Sequence, residues 1–156
     1  MCWKCDHPGG TTEEYLAELR QTMLESGWAV QYVERERMPL AYTIGLTRYG
    51  LPELLLTGLP PRRAARMLNA LGRRAVTGER PAAGARIALP AGPLIEMVEV
   101  EHPDVYLILA GAIFGDEVTA LQAVWVDSHG RWPWAANFDD GRGTQAVLGV
   151  RAATQI

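Results

Sequence analysis

The sequence predicts an α+β domain: a mostly antiparallel sheet of five or six strands with three helices. Three observations carry this. Residues 40–48 alternate large apolar side chains (Leu40, Tyr42, Ile44, Leu46) with small or polar ones, the period of a pleated strand. Turn chemistry at residues 49–52 returns the chain into a partner strand, the apolar run at 53–57. Sixteen glycines and ten prolines then divide the remainder into short elements. Strands and a helix followed by more strands is also the order of split barrels, so the sheet could close in that way.

The elements follow in order. Residues 1–10 read as an irregular arm ending in a turn. Thr11 with Glu14 three residues on forms a capping-box pattern, and Tyr15, Leu16, Leu19, Met23 and Leu24 make the stripe of a helix closed by Gly27. Residues 28–33 alternate as a first strand. A charged connection at residues 34–37 leads to the central unit, where Pro60 and Pro61 open a second helix over about residues 62–76. Ala64, Met67, Leu68, Leu71 and Ala75 fall on its apolar face, and its arginines read as a solvated face. Short strands are expected at residues 85–89 and 94–101, with Glu96 and Glu99 on opposite faces of the second. A third helix spans 103–114, a long strand 119–127, and a short apolar return 145–149.

At 156 residues the chain fits a single domain, 1–156, able to bury a core without staples. It is 48% hydrophobic and 21% charged, ordinary for a globular protein. A net charge of −3 argues against nucleic acid or an anionic membrane as the main partner. No apolar run approaches a membrane span, and the first residues carry no apolar signal core, so a cytoplasmic protein is expected. In that compartment two cysteines point to metal ligands, a redox pair or free thiols rather than a structural bridge.

Several segments together resemble the bacterial domain-of-unknown-function family 4262. They are Ala-Tyr-Thr-Ile-Gly-Leu at 41–46, Pro-Glu at 52–53, Thr-Gly-Leu-Pro at 57–60, Ala-Leu-Gln at 120–122, Val-Trp-Val-Asp at 124–127, Gly-Arg-Trp-Pro-Trp at 130–134 and Gln145. The resemblance covers about residues 28–148, with Val126 where a proline is usual. Cys2, Cys5, His7 and Pro8 resemble an actinobacterial subset. The resemblance implies one cytoplasmic domain and carries no catalytic residue or cofactor.

Two places concentrate chemistry. Cys2 and Cys5, three residues apart, can grip one zinc or iron ion, with His7 as a third ligand and His129, His102 or a carboxylate as a fourth. The same cysteines could instead be a redox pair or a labile disulfide, or the arm could pack Trp3 on the core without chemistry. Covalent haem is disfavoured because Asp6 separates Cys5 from His7. The second place is the end of the long strand, where Trp125, Asp127, His129, Arg131, Trp132 and Trp134 could converge beside Gln122 on a flat ligand such as flavin or haem. The bland alternative is ordinary turn chemistry with tryptophans capping the core. Tyr42, Thr43, Thr47 and Glu53 form a third group, in which Glu53 could serve as a general base or pair with Arg48. No phosphate-binding glycine loop, nucleophile elbow or zinc-protease motif occurs. Three functions follow, in order: a metal-binding protein, a protein-interaction or immunity-type module (a homodimer among its forms), and a flavin- or haem-type enzyme.

Overall fold

The computed structural model describes residues 8–152. Cys2, Cys5 and His7 lie outside them, so the expectation that this arm binds a metal falls outside the described residues. The chain then opens on the predicted cap: Thr11 Oγ1 accepts the Glu14 N–H at 3.2 Å. The helix it starts, α1, spans Thr12–Ser26, and Gly27 returns its N–H to the Met23 carbonyl. Leu19 and Met23 are buried, but Leu24 is 71% exposed. Each helical step turns about 100°, so a residue following the buried Met23 leaves the apolar arc.

Strands β1 (Ala29–Val33), β2 (Leu40–Ile44) and β3 (Glu53–Thr57) form an antiparallel meander. The strand expected over 40–48 ends at Ile44, because Gly45 adopts φ +131° and Leu46–Tyr49 coils into a 3₁₀ helix. The cause is Glu53. Its buried carboxylate accepts the N–H groups of Gly45, Leu46 and Thr47, which a continuing strand would have given to a ladder. The turn moves Leu46 to the opposite face of the sheet from Leu40, Tyr42 and Ile44.

Helix α2 (Pro61–Val76) buries the predicted stripe and adds Gly72, which lies against the Trp28 indole. Strands β4 (Arg86–Ala88) and β5 (Leu94–Val100) follow. The third predicted helix is two, α3 (Pro103–Tyr106) and α4 (Ile108–Phe114), giving four helices among the described residues. They divide at Leu107, whose non-helical backbone sinks its side chain fully into the core. Strands β6 (Ala120–Trp125) and β7 (Gly149–Val150) complete the sheet.

The strand order is β1-β2-β3-β6-β5-β4, with β7 also paired to β5. The β3–β6 pair is parallel and every other described pairing is antiparallel. The sheet stays open, so the split-barrel alternative is not formed. Helices cover both faces instead: α2 packs on Leu54, Leu56, Leu121 and Ala123, while α1, α3 and α4 pack on Leu40, Tyr42, Leu55 and Ala120. Double coverage explains why β2, β3 and β6 are buried at every position.

Two antiparallel steps make β1 run with β3, and β6 is parallel to β3, so all three point their carboxyl ends the same way. Helix α1 runs back along β1, its Tyr15 hydroxyl meeting the Gln31 side chain and its last turn lying by Gly45. The described chain therefore begins at the carboxyl end of these strands.

Candidate functional site

Past Thr57 the chain leaves the sheet at Gly58, while β6 continues to Trp125 opposite the vacated position. A side-chain amide fills that gap. Gln145 accepts the Trp125 N–H at 3.0 Å and donates to the Trp125 carbonyl at 2.8 Å, standing in for a strand neighbour. The surrounding segment is tied down by similar means. Thr57 and Gln122 both donate to the Ala146 carbonyl, at 2.8 and 2.6 Å, and Gln122 Oε1 accepts the Leu148 N–H at 2.7 Å. The Trp125 indole N–H reaches the Thr57 carbonyl. Gly58, at φ +82°, is required here: a Cβ would stand 2.1 Å from the Thr144 carbonyl oxygen.

Beyond Trp125, Asp127 builds the next turn. Oδ1 accepts the N–H groups of His129 and Arg131, each at 2.9 Å, and Oδ2 accepts Arg131 Nε and the Asp139 N–H, each at 2.8 Å. Partial desolvation pushes its pKa up, but three backbone donors and the guanidinium outweigh that and hold the carboxyl well below the usual carboxylate range. Asp139 in turn binds Thr144 Oγ1 at 2.7 Å and Arg142 at 3.1 Å. Phe138 closes the underside against Trp125, ring centroids 5.6 Å apart.

These elements enclose a cleft of about 530 Å³ at the carboxyl end of the parallel pair. Leu59 and Pro60 come from the β3–α2 connection, Arg63 from the first turn of α2, Pro93 from the loop before β5, and Trp125, Asp127 and Ser128 from the end of β6. Arg63 and Pro93 also border a smaller cavity of about 200 Å³ that runs along α2 past Arg66.

Of the residues singled out in the sequence, Trp125 and Asp127 line this cleft. Arg131 lies behind it, bound to Asp127 and Asp140, with Nη2 3.2 Å from His129 Nδ1. Trp132 and Trp134 do not line the cleft. They stack on each other at 5.2 Å and 7°, with the Arg86 guanidinium 4.7 Å from the first ring and that of Arg151 3.7 Å from the second. Glu96 binds both arginines. Hydrogen bonds from Arg151, then Arg86, lower its pKa against the opposing effect of burial. Glu99 on the other face is exposed, as expected.

The two histidines among the described residues do not gather. His129 follows β6 and His102 follows the antiparallel β5, so they lie at opposite ends of the sheet. Among the described residues no three His, Cys, Asp or Glu side chains are placed to hold a metal. Glu53 does not pair with Arg48, whose guanidinium donates to the Met23 carbonyl; Thr43 and Thr47 are its partners instead. Asp139 and Thr144 escaped the sequence reading, and Arg63 was read with the other arginines of its helix as a solvated face. The Thr-Gly-Leu-Pro motif beside Arg63 was the available signal, since a glycine ending a buried strand marks close backbone approach.

The fold and cleft together define an α+β domain with one open mixed sheet between helical layers and a cleft where its parallel strands end. A family model described as Domain of unknown function (DUF4262) matches residues 22–139, well over half of the chain, and the chain belongs to that family. No curated protein and no solved structure matches it. Among the described residues no helix is long and apolar enough to cross a membrane.

Proposed function

We propose that this chain is a small-molecule-binding domain whose site is the cleft at the carboxyl ends of β3 and β6. One observation carries the reading: a cleft of about 530 Å³ lies where open sheets with parallel strands take ligands, within the ordinary size of a small-molecule site. Leu59, Pro60, Pro93 and the Trp125 indole supply an apolar wall, and Ser128, Thr144 and Arg63 supply polar groups. The two indoles that would sandwich a flavin or haem are already stacked on each other and capped by arginines. The cleft therefore suits a smaller, polar ligand. A fragment library titrated into the isotope-labelled full chain tests this. Binders should shift the amides of Gly58, Leu59, Ser128 and Thr144; hits that cluster elsewhere, or none at all, refute the reading.

A second reading is metal binding by Cys2, Cys5 and His7, the segment that resembles an actinobacterial subset of the family. It is favoured by one placement: the described chain begins at the sheet end that carries the cleft and His129. A cytoplasmic setting would keep both thiols reduced and available. Metal analysis of protein purified without tag or chelator should find near-stoichiometric zinc or iron that is lost in Cys5→Ser. Metal-free protein, or unchanged content in the variant, removes this reading.

A further inference from the structure

The helices divide charge by sheet face. Helix α2 carries Arg62, Arg63, Arg66, Arg73 and Arg74 and no carboxylate. On the opposite face, four carboxylates in α1 and three in residues 103–117 stand against Arg20 alone. A net charge of −3 distributed this way leaves the α2 side positive and gives anions a direction of approach.

The cleft lies on that positive side. Arg63 borders both it and the adjoining cavity, and Arg66 borders the cavity. Both arginines are exposed, and neither forms an ion pair with a described residue. The carboxylates of the cleft are taken up internally, Asp127 by Arg131 and Asp139 by Arg142. The charge left over for a ligand is therefore cationic. The first turn of α2 adds to it in sign, having no acidic residue and no side-chain cap.

We infer that the ligand of this cleft is a small anion, bearing a phosphate or carboxylate group held by Arg63 and Arg66 with the rest of the molecule against Leu59, Pro60 and Trp125. The inference rests on the cleft being the binding site and adds the ligand class. A guanidinium fork matches either oxyanion, and two arginines one helical turn apart can share one group or bridge two.

The test is titration of the labelled full chain with pyrophosphate and, separately, with citrate, which distinguishes the two kinds of oxyanion. The amides of Gly58, Leu59, Arg63 and Gly92 should shift with at least one probe, and affinity should fall as sodium chloride rises. The double variant Arg63→Gln/Arg66→Gln should bind about tenfold more weakly or worse at an unchanged thermal midpoint. Arg63→Lys/Arg66→Lys should keep part of the affinity. Shifts spread evenly to Arg73 and Arg74, or equal binding by the glutamine variant, overturn the inference as non-specific condensation on α2. Neutral fragments that fill the cleft while both anions leave it untouched overturn the anion class and spare the cleft. If nothing moves the cleft amides, both readings fail.

Discussion

Replacing Glu53 by glutamine should cost about 2–4 kcal/mol, although the substitution removes one proton-binding group and no volume. The carboxylate is fully buried, and its partners are all neutral donors. Oε1 accepts Thr43 Oγ1 at 2.8 Å and the Leu46 N–H at 3.1 Å. Oε2 accepts the Gly45 N–H at 3.1 Å, the Thr47 N–H at 3.0 Å and Thr47 Oγ1 at 2.6 Å. Glutamine keeps one acceptor and presents an NH₂ in place of the other. Its better orientation puts the NH₂ at Oε1, where the Thr43 hydroxyl can rotate to accept but the Leu46 N–H faces a donor. One orphaned buried N–H costs about 1–3 kcal/mol, and the bonds that survive lose the strength a charged acceptor lends them.

Urea unfolding followed by fluorescence measures the difference, read as a lowered midpoint at constant slope. For a chain of this size, 3 kcal/mol corresponds to roughly 6–12 °C in Tm. Glu53→Ala should cost more, since it abandons every donor. Arg48→Ala should not mimic either variant, because Arg48 bonds to Met23 instead. A Glu53→Gln variant within about 0.5 kcal/mol of the parent would refute the reasoning, since surface substitutions do no better.

Three further outcomes follow from the same structure. Asp127 and Glu96 have folded pKa values below the ordinary range, so in acid the unfolded chain binds more protons. Their contribution is complete above about pH 5 and is lost as pH falls through the folded values. Asp127→Asn should flatten the acid limb of the urea midpoint against pH, and an unchanged limb would contradict the assignment. Gly58→Ala forces a Cβ to 2.1 Å from the Thr144 carbonyl at a left-handed φ, and should cost about 2–5 kcal/mol by calorimetry. A neutral result would mean that the segment over β6 is free to shift. Burial, with help from nearby Tyr15 and against the Leu109 N–H, pushes the Tyr42 phenol up to about 12. Its contribution to stability is complete below about pH 10 and is lost as pH rises through the folded value. Ultraviolet titration should show a tyrosine ionising late, absent in Tyr42→Phe.

What was legible in the sequence was local. The Glu53–Thr57 strand, the α2 stripe and the Thr11 cap are each specified by residues within a turn or two of one another. The opposite faces of Glu96 and Glu99 follow from period two alone. What was not legible depended on partners outside the element being read. Leu46 belongs to the alternating run by pattern, yet Glu53 takes the N–H groups that would have extended it. Trp132 and Trp134 look like walls of a pocket until Arg86 of β4 and Arg151, just past β7, cap them. The gap beside Trp125 shows in no local window, because it exists only where Gly58 has left the sheet and Gln145 has come to replace it.

The residues that carried the family resemblance meet at both ends of β3. At one end Thr43, Gly45, Leu46 and Glu53 form the nest around a buried carboxylate. At the other, Thr57, Gly58, Gln122, Trp125 and Gln145 lock the crossing segment, and Asp127 and Arg131 fix the adjoining turn. Each of these polar groups is already satisfied inside the protein, which accounts for its residue type without any ligand. A ligand can use only what the fold leaves unpaired. At this sheet end the cleft and its adjoining cavity offer the guanidinium groups of Arg63 and Arg66, the hydroxyls of Ser128 and Thr144, and the apolar surfaces of Leu59, Pro60, Pro93 and Trp125. The motif residues thus describe how the cleft is built, and on the proposed reading its selectivity resides in Arg63 and Arg66, outside the motifs.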